Sequence, residues 1–479
     1  MSTGRGSQLR DVLTQVLGDD LLQPDSEQYE RDNGSYFSAF ENELRPSHIA
    51  KPTSVEQIEC LLKALRPYLL DETCRIAIRG QGHTPFAGSA NITGEGSVTI
   101  DMRGLKGIAL NPDNTTVEIA AGETWESVYA ELEKHGLTTP GGRVGRIGVA
   151  GFILGGGLSM FSTRLGFACD SVIEFRVVLA DGRMIRANAH QNADLWISLK
   201  GGLNNFGIVT SIVMRTIKSG KIWGGVTYYM PDALPQLLEN TYQFVHDDNP
   251  DEDTHIMCSA GYGFGHQALT CVMYHTEGKV NPPALQPFTS LQPQIDQMGT
   301  LRVSSHLGFS QELSKFSSDG MRQYWSSITI RPDVTLMQAF YDRWQDTVSA
   351  LKDAEGFIFS LGFHPLTKAL LVNSQKAGEN AMKISPSEGP LLVVLINPCW
   401  ADRQDDARIF EAVETLVADY RRIASARGLL HRYIFTNYAH SKDKVMEGYG
   451  DIDKLKGVSQ KYDPQAIFQK VVPGSFKLF

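Results

Sequence analysis

Hydrophobic positions along the chain follow two periods. Over residues 54–70 (SVEQIECLLKALRPYLL) they recur every three to four residues, the spacing of one helix face. Ser54 stands there as N-cap, with Gln57 three positions on as a capping-box partner. Residues 125–135 (WESVYAELEKH) repeat the helical period up to Gly136, a C-cap signal. Shorter apolar runs read as strands at Arg75–Arg79, Ser97–Asp101, Thr116–Ala120, Ile173–Leu179 (before an Asp181-Gly182 turn) and Gly207–Thr216. Short strands mixed with helices over 45–215 predict an α+β unit and not a regular βαβ repeat. Beyond Ser219-Gly220 the pattern changes. Alternating strands are predicted at Gly224–Tyr229, Ala268–Tyr274, Gly356–Gly362, Pro390–Ile396 and Arg432–Thr436, with helices between them, notably Asp405–Gly428. That is the pattern of a large antiparallel sheet backed by helices. Residues 1–23 read as a short amphipathic helix, and Asp453–Phe468 as a short helical segment. The expected boundaries are 1–218, 219–430, and a closing segment 431–479 that returns to the first unit.

The totals change this picture little. A chain of 479 residues exceeds what one core supports, so two domains are expected. Hydrophobic content of 42% and charged content of 21% fit a soluble globular protein. A formal charge of −9 with no basic block argues against nucleic acid and anionic membrane surfaces as partners. No eighteen-residue apolar run offers a membrane span, and Asp11, Asp19 and Asp20 interrupt any signal-peptide core. Six cysteines without paired spacing suggest reduced thiols in a cytoplasmic protein, with neither a disulfide frame nor a metal site.

The candidate chemistry lies in two glycine-rich stretches about sixty residues apart. Arg79-Gly80-Gln81-Gly82-His83 follows the first predicted strand, and Pro140–Gly157 (PGGRVGRIGVAGFILGGG) carries eight glycines in eighteen residues. Without a Cβ, glycine lets backbone approach a bulky ligand closely, and consecutive N–H groups form concave donors for phosphate oxygens. Two such loops in one unit suggest a large phosphorylated cofactor; the alternative at each is a tight turn with no ligand. A Rossmann site fits badly, because His83-Thr84-Pro85 does not open a helix after Gly82.

These loops, together with Thr84–Asn91, Asp194-Leu195-Trp196, the stretch Gly201–Thr210, Asn437-Tyr438 and Tyr462-Asp463-Pro464…Phe468, resemble the FAD-linked oxidoreductases of the berberine-bridge-enzyme-like family. The resemblance is strong over about 40–215 and moderate over 430–470; the middle is similar to fungal members of specialised metabolism. It implies an α+β fold with a PCMH-type, two-subdomain FAD-binding domain and a substrate domain. By position His83 corresponds to the histidine bonded to the flavin. Gly80, Gln81, Gly82 and His83 would supply N–H groups to the pyrophosphate, Gly142, Gly148, Gly151 and Gly155, Gly156 and Gly157 would border the ribityl chain and ring, and Asn205, Gly207, Ile208 and Val209 would close the adenine and ring side. Arg79, Thr84, Gly88, Ser89 and Pro140 are further cofactor-binding candidates, and Asn437 resembles a family asparagine near the flavin. Val144 stands where bicovalent relatives carry cysteine, so one covalent link, to His83, is expected. Ile147 stands where relatives control oxygen access, and Phe152 where many have a histidine.

The resemblance implies hydride transfer from a small organic substrate, a specialised metabolite, to flavin, with oxygen as acceptor and oxidative cyclisation as a variant. The cofactor carries the electron chemistry and the protein orients the substrate. Tyr438 and His364 are the catalytic candidates, the first as proton relay and the second as base or anchor; Asn397 and Trp400 are possible pocket residues. A non-redox cyclase or cycloaddition catalyst that holds flavin only as scaffold is the alternative.

Overall fold

The computed structural model describes residues 3–474 and 476–479. The helical stripes of the N-terminal part pack on each other. Leu9, Leu13 and Leu17 of helix Thr3–Leu17 meet Ile58, Leu61, Leu62, Leu65 and Leu69 of helix Val55–Leu70, all buried. Ser54 caps that second helix by accepting the N–H of Gln57. The reciprocal half of the capping box is absent: the Gln57 side chain accepts the Thr53 N–H and donates to Asp20. Beneath lies a four-stranded sheet in the order Leu21–Leu22, Pro46–Ala50, Gly94–Asp101, Arg75–Arg79, the last three parallel. A five-stranded antiparallel sheet follows, Ile108–Leu110, Thr116–Ala120, Ile208–Arg215, Val172–Val178, Met184–Asn188. Two small sheets side by side, with the glycine loops leaving their ends, make the first part α+β.

The second part is a nine-stranded antiparallel sheet running Arg302–Ser304, Ile222–Tyr229, His266–His275, Thr254–Gly263, Ile358–Leu366, Leu391–Trp400, Ser326–Ile330, Leu430–His431, with Arg322–Gln323 paired to the end of Leu391–Trp400. Helices Leu234–Val245, Val334–Leu351 and Asp406–Ala426 cover one face. Their apolar stripes meet in a core where Trp344 is fully buried and the Phe340 and Tyr420 rings stack at 4.0 Å. Period-two alternation sets the other face. Phe359, Leu361 and Phe363 turn toward the helices, while Ile358 and Ser360 turn toward the first part of the chain.

The strand expected at Arg432–Thr436 is corrected. Only Leu430–His431 pairs, with Thr329 and Ile330. The chain then leaves the sheet and closes in a turn at Thr436–Tyr438. Tyr433, Ile434 and Phe435 are buried against the core of the first part, so their apolarity reflects packing across the molecule and not a ladder. Val149–Leu154, inside the long glycine stretch, is a six-residue helix. Asp453–Phe468 is helical but broken: one helix ends at Tyr462, and Asp463 accepts the Phe468 N–H beside the next, Ile467–Lys470.

Candidate active site

An elongated cavity of about 540 Å³ lies between the first part and the bare face of the large sheet. Its floor is backbone. Gly80 follows the strand Arg75–Arg79, and Gly151 sits in the helix Val149–Leu154; both line the cavity, and a Cβ at either would meet no protein atom within 4 Å. The space a side chain would fill is cavity. Gly82 serves differently: its φ of +70° and the Tyr36 ring, 2.6 Å from an ideal Cβ, admit only glycine. Gln81, Thr84, Ser89, Gly148 and Gly207–Val209 complete this wall. The Gln81 side chain is engaged elsewhere, donating to the Gly122 carbonyl at 2.8 Å.

His83 sits at one end. Its ring stacks on Phe37 at 3.9 Å, faces the edge of Trp325, and has Ser317 Oγ 3.4 Å from Nε2. The ring lines the cavity, and burial pushes its pKa down to about 4, with Arg146 adding to the effect. At neutral pH it is uncharged and keeps a nucleophilic nitrogen. Val144, Ile147 and Phe152 also line the cavity, Phe152 edge-on to Trp125. Cys399, on the roof, has its thiol pushed up to about 11 by burial and stays protonated.

Several predicted residues lie behind the wall. The buried Arg79 guanidinium donates to the carbonyls of Asp32 (2.6 Å) and Ser35 (2.7 Å) and stacks 3.5 Å over Tyr36. The Gly88 N–H is bonded to Glu41, as are those of Ser89 and Ala90. Pro140 is buried outside the lining; Gly142 packs on Trp125, and its carbonyl accepts the Tyr129 hydroxyl at 2.8 Å. Gly155 and Gly156 pack against Asn437 and Met382, and the Gly157 N–H donates to Asn437 Oδ1 at 3.1 Å. Asn437 itself reaches the cavity and donates to the Phe152 carbonyl. Asn205 donates to the carbonyls of Gly202 and Phe476, tying the C-terminus down.

Tyr438 lines the cavity; its hydroxyl accepts from Arg143 Nη2 at 2.5 Å, which leaves its own O–H to donate elsewhere. His364, on the strand Ile358–Leu366, lies behind Tyr438 with ring centres 5.1 Å apart and does not line the cavity. Burial, with Arg143 and His255 adding, holds it well below its ordinary pKa, and Nδ1 finds no partner among the described residues. Asn397 is in the lining, its buried Oδ1 without a partner among the described residues, whereas Trp400 is fully buried and donates to Asp406. Sequence reasoning missed Arg143, Glu41 and Trp325, whose buried indole N–H has no partner among the described residues. One signal was legible: Ser360 and Asn397 are polar positions alternating with large apolar ones, and the two are cross-strand partners.

Comparison with known proteins agrees with this geometry. The FAD binding domain family matches residues 46–188. The FAD-dependent monooxygenase CTB5 of Cercospora beticola is 30% identical over 486 residues, spanning 98% of this chain and 91% of the relative. The FAD-dependent monooxygenase FUP4 of Fusarium proliferatum is 31% identical, over 92% of this chain and 87% of its own. Among solved structures, xylooligosaccharide oxidase from Myceliophthora thermophila superposes with a TM-score of 0.77 at 17% identity, over 98% of this chain and 99% of that one. The 6-hydroxy-D-nicotine oxidase of Arthrobacter nicotinovorans gives 0.76 at 19%, over 94% and 96%. No helix among the described residues is long and apolar enough to cross a membrane. This chain carries the FAD binding domain and belongs to the family of FAD-dependent oxidoreductases that includes the fungal monooxygenases CTB5 and FUP4.

Proposed function

We propose that the protein oxidises a small organic substrate, a specialised metabolite, by hydride transfer to an FAD held in this cavity through a single covalent link to His83. The observation that carries the reading is His83: a neutral imidazole, clamped by Phe37, at the end of a glycine-floored cavity. The residues present fit the cofactor, since Gly80 and Gly151 leave room that any side chain would take. Bound flavin supplies the electron-accepting chemistry, with oxygen as final acceptor. Around it the chain's own groups divide the work. Gly80, Gln81 and Gly82 would present backbone to a pyrophosphate, and Asn437 braces the helix Val149–Leu154 by donating to the Phe152 carbonyl. Tyr438 lines the cavity with its hydroxyl held by Arg143, and its O–H can pass a proton to or from the substrate. His364 supports Tyr438 from behind, as a positioning residue. Val144 offers no thiol, and Cys399 stays protonated, so the link at His83 stands alone.

Acid precipitation of the purified protein tests this directly. The pellet should be yellow, and His83→Ala should release its colour to the supernatant; a colourless wild-type pellet refutes the link. Anaerobic mixing with the substrate should bleach the flavin, whereas product without bleaching would support a non-redox cyclase. Relatives such as CTB5 are monooxygenases, while structural neighbours such as 6-hydroxy-D-nicotine oxidase are oxidases. Labelled oxygen separates the two for this chain: peroxide release marks an oxidase, label in the product a monooxygenase.

A further inference from the structure

Arg143 is 7% exposed, lines the cavity, and forms no ion pair with any described residue. The loop holds it there because Gly141 and Gly142 lie flat on the Trp125 ring, where any Cβ would collide, so the next side chain projects toward the large sheet. Its Nη1 donates to His255 Nε2 (3.2 Å) and contacts the Met257 sulfur; Nη2 donates to the Tyr438 hydroxyl at 2.5 Å. None of the three is a carboxylate. An imidazole and a thioether carry no negative charge at any pH, and burial with Arg143 beside it keeps His255 well below its ordinary pKa. Arginine stays protonated in proteins, and a buried charge is costly unless an opposite charge meets it. The open side of this guanidinium is the cavity, and beside it stands a phenol whose O–H is free to donate.

We infer that Arg143 and Tyr438 form an anion-binding subsite, and that the substrate carries an acidic oxygen, as a carboxylate, phenolate or enolate, which binds there as its anion. This rests on the oxidoreductase reading for the presence of a substrate cavity, and adds its chemical class. Guanidinium and phenol together give donors converging on one oxygen or on a carboxylate pair, charge-assisted and shielded from bulk water. Two other roles compete. Arg143 could serve only as a clamp between the loop and the strand Thr254–Gly263, or its charge could be met by an ionised Tyr438.

Calorimetric titration of the purified yellow protein with benzoate and with its neutral counterpart benzamide, at pH 7.5, tests the subsite. Benzoate should bind at least tenfold more tightly. Arg143→Met should weaken benzoate by about tenfold to a hundredfold, the range a hydrogen bond to a charged group contributes, and leave benzamide within twofold. Arg143→Lys should keep part of the preference, and Tyr438→Phe should weaken benzoate several-fold. Equal binding of the two probes to wild type overturns the proposal and favours an ionised Tyr438. An unchanged ratio in Arg143→Met, with only a lower melting temperature, overturns it in favour of the clamp. Should Arg143→Met fail to fold, the wild-type ratio and the lysine variant decide alone. Colourless protein would count against the flavin reading, while the probe ratio and its loss in the variants are read the same way.

Discussion

Glu41→Gln probes how the cofactor loop is held. The Glu41 side chain is fully buried, and its carboxylate accepts the backbone N–H groups of Gly88 (3.1 Å), Ser89 (3.0 Å) and Ala90 (2.7 Å), the last two being cavity residues. Burial raises its pKa to about 7 from an ordinary 4.5, although the three N–H groups pull it the other way. The folded protein therefore takes up a proton as pH falls through 7, and the unfolded chain only near 4.5. The stabilisation from this group is fully present below about 4.5 and is lost as pH rises through about 7; the difference corresponds to about 3 kcal/mol. Glutamine keeps one acceptor oxygen but sets an NH₂ against a backbone N–H, which costs about 1–3 kcal/mol at every pH. At pH 5 the variant should be less stable by that amount. At pH 8 the wild type has lost its proton-linked share, and the two should converge or cross. Urea denaturation followed by circular dichroism at pH 5, 6, 7 and 8 measures the gap. A gap that stays constant across the range refutes the assigned titration, and equal stability at pH 5 refutes the assigned bonds.

Gly80→Ala should leave thermal stability unchanged yet lower flavin content, because its Cβ meets cavity and no protein atom; the ratio of visible to ultraviolet absorbance reads this. Gly142→Ala should instead lower the melting temperature, since the new Cβ lies 2.6 Å from the Trp125 ring; overpacking of this kind costs about 1–3 kcal/mol. His306, bonded to Thr138 at 2.8 Å and pushed down to about 3 by burial, is neutral in the fold. Its contribution is complete above about pH 6.5 and is lost as pH falls, because the unfolded chain gains a proton the fold refuses. His306→Gln should flatten the fall of the melting temperature between pH 7 and 4.5. Trp344→Ala, in the fully buried helix–sheet core, should cost about 3–5 kcal/mol in the denaturant midpoint without altering the spectrum of bound flavin.

Local rules were enough for much of this chain. The period of 54–70 and the cap at Ser54 fixed one helix, and the alternating runs fixed strands such as Arg75–Arg79 and Thr116–Ala120, which the structure reproduces residue for residue. The glycine loops were legible as places of close backbone approach because glycine's missing Cβ is a property of the residue and needs no neighbour. Tertiary structure alone decided which glycines face the cavity and which only permit packing. Gly80 and Gly151 open onto the cavity, while Gly142 lies on Trp125 and Gly155 against Asn437, partners 17 and 282 positions distant in sequence. Arg432–Thr436 reads as a strand but is a crossing segment, since an apolar run records burial without naming what buries it. Arg143 shows the same limit most sharply. Within its loop it is one polar residue among glycines; its want of an opposing charge arises only where the strand Thr254–Gly263 and Tyr438 are folded around it. Electrostatic balance is a sum over neighbours in space, and the linear order of residues does not contain that sum.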